Sequence, residues 1–308
     1  MTEEQTESSW ASKPSQHIID QQSDDFPGLL RQISNPPERL FVAGNLDALH
    51  LPALAIVGSR NPTRQGRQNA YECAKHLGRT GCCIVSGLAT GIDTAAHEGA
   101  LDGGAMTVAF LGHGIDRVYP PANEGLATRI IANGAVCSEF PLGSDPRREH
   151  FPQRNRLISG LSLGTLVVEA AKRSGSLISA RLASEQGREI FAIPGSIHNP
   201  MSRGCHQLIR QGAKLVESAA DIVSELGPLV EHLMQAPEEQ ASSKQDSRKP
   251  DADYEMLIEA MGFDPATVDE LADRSGLTID HVSSMLLILE LEGIIEAQAG
   301  GRYSRLHE

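Results

Sequence analysis

Seven short apolar segments recur through the middle of this chain, at 54–57, 82–85, 107–111, 135–137, 166–168, 190–193 and 215–216. Stretches of helical spacing separate them at 65–77, 92–101, 124–132, 152–159, 176–186 and 205–210. A run of four or five apolar residues reads as a strand buried on both faces, and strands joined through helices pair in parallel. The alternation predicts an α/β domain built on a doubly wound, mainly parallel sheet. Open sheets of this kind bind ligands beyond the carboxyl ends of their strands. Those ends carry Gly58-Ser59-Arg60, Ser86-Gly87, Gly112-His113-Gly114 and Gly175-Ser176, and a helix-like stretch bearing Arg154, Asn155 and Arg156 leads into the strand that ends on Glu169. Several loops can thus converge on one anionic ligand with repeated phosphates.

The flanks differ from this middle. Residues 1–25 are polar and mostly acidic, and they are expected to be a disordered tail because they lack the apolar periodicity that repays ordering. Residues 26–50, with Phe26-Pro27, Leu29-Leu30, Pro36-Pro37 and Leu40-Phe41-Val42, read as a lead-in of a turn and a strand beside the main domain, which spans 26–226. A linker is expected at 227–250, since Gln, Ser, Glu and Lys accumulate over 235–250 with no apolar pattern. Helical patterns near 253–261, 267–274 and 279–292, a turn at Ser275-Gly276 and a glycine-tipped hairpin at Gly300-Gly301 predict a small C-terminal winged helix-turn-helix domain over 251–308. No apolar run reaches membrane-spanning length and the start lacks the features of a signal peptide, so a cytoplasmic protein with no membrane partner is expected. The five cysteines form no CxxC spacing, which points to reduced thiols, with no metal site and no cofactor.

The formal net charge is −13, but its distribution is uneven. Residues 145–215 hold eleven Lys and Arg against five Asp and Glu, a net +6; residues 251–308 hold three Arg against thirteen acids, a net −10. Local potential governs anion binding more than total charge does, so the middle can hold phosphates. Arginines of this kind also serve as a plain solvated face.

Each loop admits two readings. Gly58-Ser59-Arg60 can bring backbone, hydroxyl and guanidinium to a phosphate, or be a tight turn with an exposed Arg. It is not a GxGxxG fingerprint. Asp93 and His97 stand four apart on one helix and can act as an acid/base pair; the structural reading, in which Asp93 complements the helix dipole, is preferred. Ser174-Gly175-Ser176 at a helix start suits a phosphate or a capping hydroxyl equally, and Lys172 beside it favours phosphate. Tyr119, Phe140 and Phe151 can stack on unpaired bases or pack within their loops.

Read in order, these segments resemble the DNA-processing protein A family (DprA, also called Smf), bacterial recombination mediators. The resemblance rests on Ala55-Ile56-Val57-Gly58-Ser59-Arg60, Ser86-Gly87-Leu88-Ala89-Thr90-Gly91-Ile92-Asp93 with His97, and Gly112-His113-Gly114-Ile115-Asp116 with Tyr119-Pro120. It continues through Ser138-Glu139-Phe140-Pro141, Phe151-Pro152 with Arg154-Asn155-Arg156, Val168-Glu169-Ala170, Ser174-Gly175-Ser176-Leu177, Pro194-Gly195-Ser196, and Leu208-Ile209 with Gly212-Ala213. It implies an extended Rossmann-like domain that binds single-stranded DNA, protects it and loads the RecA recombinase, in natural transformation or DNA recombination, without enzymatic activity. It also implies DNA contacts at Gly58, Ser59, Arg60, Ser86, Gly87, Arg154, Asn155, Arg156, Lys172, Gly175 and Ser176. A homodimer is expected through the late unit that holds His206, Ile209 and Leu215, which few later elements cover. The helical N-terminal domain that many members carry is expected to be missing, because only about 25 polar residues precede the lead-in.

Two rivals remain. A nucleotide phosphoribohydrolase of the lysine decarboxylase-like group shares the expected fold, but its Pro-Gly-Gly-x-Gly-Thr-x-x-Glu motif is broken here, where Gly164-Thr165 is followed by three residues before Glu169. A sequence-specific repressor would read DNA with the helix at 279–292, which has no Lys or Arg and carries Asp280, Glu290 and Glu292.

Overall fold

The computed structural model describes residues 3–235, 256–257, 260–261, 266–279, 281–282, 285–286, 289, 295–298 and 302–305. The chain divides into two units, Met1–Ala236 and Pro237–Glu308.

The strands of the first unit are β1 (Gln16–Asp20), β2 (Arg39–Gly44), β3 (Ala53–Val57), β4 (Cys83–Ser86), β5 (Thr107–Phe110), β6 (Gly134–Ser138), β7 (Gly164–Val167), β8 (Glu189–Ala192) and β9 (Lys214–Leu215). They form one sheet in the order β1-β2-β6-β5-β4-β3-β7-β8-β9. From β6 to β9 every neighbouring pair is parallel, whereas β2 runs antiparallel to β6 and β1 antiparallel to β2. The chain winds outward from β3 to β6, then returns to lay β7 on the other side of β3. The winding thus reverses between β3 and β7, and there the strand ends open as a crevice.

The helices of this unit are α1 (Glu3–Ala11), α2 (Gly28–Arg31), α3 (Arg64–Arg79), α4 (Ile92–Asp102), α5 (Glu124–Ala132), α6 (His150–Gly160), α7 (Ser176–Glu185), α8 (Arg203–Arg210) and α9 (Ala219–Gln235). Side chains alternate between the two faces of a strand, so β3 serves two cores at once. Ala53, Ala55 and Val57 join Leu30, Val85, Val108, Leu157 and Leu208 on one face. Leu54 and Ile56 join Leu77, Ile84, Ile92, Leu166 and Ile222 on the other. This two-sided burial is why the strands read as unbroken apolar runs.

Three expectations need correction. Residues 1–25 are not wholly a disordered tail: β1 pairs with β2 from Gln16↔Ala43 to Asp20↔Arg39, Ile19 is buried, and Trp10 of α1 packs edge-on against Phe41 with ring centroids 5.9 Å apart. A segment too polar to make its own core is ordered by adding to an existing sheet edge. The lead-in strand is likewise a member of the sheet, as β2. The expected linker begins too early, because α9 continues through 227–235 to Gln235. Leu226, Leu229 and Leu233 keep helical spacing across Gly227-Pro228. Positions 236–250 lie outside the described residues.

In the second unit β10 (Ala266–Thr267), β11 (Ile295–Gln298) and β12 (Arg302–Arg305) form an antiparallel sheet in the order β10-β12-β11. Helix α10 (Val268–Ser275) opens with a capping box between Thr267 and Glu270 and closes at Gly276, whose φ is 72°. The helical residues described between 279 and 289 bury Val282, Met285, Leu286 and Leu289 against Leu257, Leu271 and Ile295. This is the small winged-helix fold expected. Asp280, Glu290, Glu292 and the hairpin tip Gly300-Gly301 lie outside the described residues.

Candidate nucleic-acid interface

A cavity of about 850 Å³ opens at the crevice, lined from one side by Gly58, Ser59 and Arg60, from the other by Ser174, Gly175 and Ser176, and across its mouth by Tyr119, Arg148, Phe151 and Asn155. The loop after β3 is fixed from below. Ser59 Oγ accepts the Asn61 N–H at 3.1 Å, and the Ser59 carbonyl accepts the Ile92 N–H at 3.1 Å. Gly91, with φ at 87°, packs so close that a Cβ there would lie 2.4 Å from the Ser59 oxygen. Glu169 holds the next turn, accepting the Thr63 N–H at 2.8 Å and the Thr63 hydroxyl at 2.6 Å. Both carboxylate oxygens of Glu169 are therefore engaged in building the turn into α3.

Arg60 is left exposed by this arrangement, with its guanidinium 5.2 Å from the centroid of Phe151. Tyr119, 46% exposed, tilts against Phe151 with centroids 6.2 Å apart. A cation and two rings thus share the mouth, a combination suited to phosphate and to the face of an unpaired base. Phe140 lies elsewhere, stacked on His150 at 4.2 Å. Arg148 is exposed and, like Arg60, makes no ion pair among the described residues.

The expected site residues separate into two groups. Gly58, Ser59, Arg60, Asn155, Gly175 and Ser176 line the cavity, as does one edge of the otherwise buried Arg154. Lys172 is exposed on the adjoining loop but is not part of the lining. At the start of α7 the Ser176 N–H bonds Ser174 Oγ, and the Leu177 and Ile178 N–H groups bond the carbonyls of Ser174 and Gly175. That end therefore offers hydroxyls and a helix dipole rather than a row of free N–H groups.

Ser86, Gly87, Arg154 and Arg156 do not stand at the surface as expected. Ser86 is fully buried and donates to the Ile56 carbonyl at 2.7 Å, tying β4 to β3. Arg154 is 3% exposed, and its Nη1 donates to the carbonyls of Gly87 and Phe110 at the ends of β4 and β5. Gly87 is glycine for this reason, since a Cβ there would meet Nη1 at 2.2 Å. Burial draws the Arg154 guanidinium down to about 10 against the opposing pull of Asp93, so it stays charged at neutral pH. Arg156 is paired with Glu139, both partners being mostly buried. Carbonyls and a carboxylate inside the fold engage most of both guanidiniums, leaving Arg154 Nε and Arg156 Nη1 without a partner among the described residues.

Asp93 and His97 do not form a pair. Asp93 Oδ2 accepts the N–H groups of Gly87 and Ala89, and burial pushes its carboxyl up while Arg154 pulls it down. His97 bonds Thr107 Oγ1 through Nδ1 at 2.7 Å, and Thr107 in turn donates to the Ile84 carbonyl. The imidazole therefore carries its proton on Nδ1, and burial lowers its pKa to about 3. Sequence reasoning missed Arg148. Its only signal is a pair of adjacent arginines just ahead of α6, outside every recognised motif.

At the other end of the sheet, β9 is a two-residue edge strand on which Leu215 is 49% exposed. Ile209 is partly buried against the core, and His206 bonds the Gly195 carbonyl through Nε2 at 2.9 Å.

Fold and site together define a doubly wound α/β protein with a cationic, ring-lined cleft at its switch point and a winged-helix unit later in the chain. Residues 17–227 match the family model of DNA recombination-mediator protein A, and residues 240–301 match that of the DprA winged helix domain. The chain belongs to the DNA recombination-mediator protein A family. It is 43% identical over 300 residues to protein Smf of Escherichia coli, covering 96% of this chain and 79% of that protein. It is 48% identical over 212 residues to the DNA processing protein DprA of Streptococcus pneumoniae, covering 69% and 74%. The X-ray structure of DNA processing protein A from S. pneumoniae aligns with a TM-score of 0.68 at 44% identity, over 73% of this chain and 78% of that one. The Helicobacter pylori protein, whose structure addresses a unique single-stranded DNA binding mode, aligns at 0.62 and 29% identity, over 68% and 99%. Among the described residues no helix is long and apolar enough to cross a membrane.

Proposed function

We propose that this chain binds single-stranded DNA in the switch-point cavity, protects the strand and passes it to the RecA recombinase in recombination or natural transformation, as a cytoplasmic protein. The observation that carries this reading is the mouth of the cavity, where Arg60 and Arg148 are exposed beside the rings of Tyr119 and Phe151. A cleft that offers cations and ring faces fits an unpaired strand, whose bases are free to stack, better than a duplex. The described protein of H. pylori, with its single-stranded DNA binding mode, points the same way. Direct contact is assigned to Gly58, Ser59, Arg60, Asn155, Gly175 and Ser176, with Arg148 added and Lys172 at the rim; Ser86, Gly87, Arg154 and Arg156 shape the site from within. Binding rather than catalysis is the role proposed, and the engagement of Glu169 by Thr63 supports it against the phosphoribohydrolase reading. The division of labour follows the chain, with DNA held by the 26–226 region and a protein-facing part for 251–308.

Fluorescence anisotropy with single strands, blunt duplex and free nucleotide monophosphates tests the reading. Single strands should bind most tightly, with little sequence preference and a log-log salt slope of about −0.7 per phosphate neutralised; equal affinity for duplex would refute it. The protein is also proposed to pair with a second copy through the β9 edge, where Leu215 is exposed and His206 and Ile209 adjoin. Leu215→Glu should then give a folded monomer by light scattering with weaker DNA binding, and a variant that remains dimeric would place the interface elsewhere.

A further inference from the structure

Among the residues that line the cavity Asp93 is the one acid. It is 8% exposed and stands in the first turn of α4, where its Oδ2 accepts N–H bonds from Gly87 at 3.2 Å and from Ala89 at 3.3 Å. Between those donors Leu88 holds φ at 56°, a left-handed backbone that a bulky residue rarely adopts. That strained residue turns the two neighbouring amides towards one point. Convergent amides of this kind make an anion receptor, the geometry that cradles phosphate in many loops. The loop is fixed in that shape by its neighbours. Asn123 Nδ2 donates to the Leu88 carbonyl at 2.9 Å, Thr94 Oγ1 donates to the Ala89 carbonyl at 2.8 Å, and the Leu88 side chain is fully buried. Backbone strain is thus maintained to build a receptor that the chain's own carboxylate occupies. A second group beside it is unusual as well, since Arg154 lines the same cavity, is 3% exposed and leaves its Nε without a partner.

We infer that Asp93 is a specificity-determining residue: its carboxylate fills the anion receptor of the β4–α4 loop and keeps doubly charged phosphate monoesters out of the inner cavity, leaving Arg60 and Arg148 for the phosphodiesters of a strand. The inference rests on the reading of this cavity as the single-stranded DNA site. A cleft of about 850 Å³ has the size of a small-ligand pocket. With several arginines and no internal anion it would capture free nucleotide monophosphates or inorganic phosphate. A monoester carries about −1.5 to −2 at neutral pH, whereas an internal diester carries a single charge. Asp93 occupies the two receptor amides and offsets the buried charge of Arg154, so the inner cavity offers a doubly charged monoester neither free donors nor a net positive field. Asp93 accordingly acts as a charge filter, in addition to shaping its loop.

Competition against a labelled oligothymidylate with hydroxyl ends tests this on the full chain, with dTMP, inorganic phosphate and a short unphosphorylated oligothymidylate as competitors. On the wild type the short oligothymidylate should displace the probe, and dTMP and phosphate should do so poorly. Asp93→Asn retains an amide oxygen that can accept both N–H bonds while removing the charge, so the loop keeps its shape. It should improve displacement by dTMP by about tenfold or more, with a smaller gain for the diester competitor. Two results overturn the inference: dTMP displacing the probe from the wild type as readily as the short oligothymidylate does, or a folded Asp93→Asn protein improving equally towards all three competitors. The wild-type comparison stands even where the variant is unstable. If Arg60→Ala leaves probe affinity unchanged, the cavity reading itself fails and this inference with it; if affinity depends on Arg60 while the competitors are not discriminated, the charge filter alone fails.

Discussion

Arg60 and Arg148 stand on exposed loops at the mouth of the cavity without an ion pair among the described residues, whereas on helix α6, which forms one wall, Arg154 is buried and Arg156 mostly buried, both in contact with protein groups. Three of the four, Arg60, Arg148 and Arg154, line the same cavity, and Arg156 lies on the helix that walls it. The difference lies in what surrounds each guanidinium. Strand-end carbonyls and the mostly buried Glu139 carboxylate engage the pair on the helix, and the loops offer the other pair no ion pair among the described residues. A count of positive charges along the chain therefore overstates what a ligand can use, because part of that charge is structural.

The largest effect that separates the two regions is on stability. Arg154→Ala should destabilise the fold by about 3–5 kcal/mol in urea unfolding, because it strips two carbonyls of their donor and leaves Asp93 without its buried counter-charge. A variant as stable as wild type that loses only DNA affinity would erase the distinction. Arg60→Ala and Arg148→Ala should each cost about 1–3 kcal/mol of binding, lower the magnitude of the salt slope by about 0.7, and leave stability within about 0.5 kcal/mol. Unfolding and anisotropy on the same preparations read both quantities.

A smaller effect comes from the interior that holds Arg154. His97 has its pKa lowered to about 3 by burial and, secondarily, by the charge of Arg154, against about 6.5 when unfolded. Between those values the unfolded chain binds a proton that the native protein refuses. Stability from this group is thus full above pH 6.5 and declines as pH falls below it, by up to about 1.4 kcal/mol per pH unit. His97→Gln should flatten that dependence between pH 6.5 and 5, and an unchanged profile would show that the imidazole titrates normally in the folded protein.

Much of the architecture was legible because it is written locally. Each parallel strand is a short, unbroken apolar run such as Ala53–Val57, buried on both faces, and loops rich in Gly, Ser or Arg mark several of the strand ends. Strand β1 was not legible, since Gln16–Asp20 takes its order from pairing with β2 and not from its own composition. The split among the arginines was equally hidden. Arg154 is buried because Gly87, 67 positions away, leaves room for it and because two strand ends present carbonyls there. Contacts of that range leave no mark in the spacing around Arg154. Arg60 was legible, because it directly follows the apolar run of β3 and a tight loop has little to bury it with.

The central claim is that single-stranded DNA lies in the switch-point cavity between the loops after β3 and β7. Photocrosslinking of full-length protein to a 5-iodouracil-substituted single strand, followed by peptide mass spectrometry, tests it most directly, with Tyr119 and Phe151 placed to react with a stacked base. The account predicts crosslinks in peptides carrying Tyr119 or Phe151, reduced in Arg60→Ala. Crosslinks confined to residues 251–308, or to the β9 edge around Leu215, would contradict it.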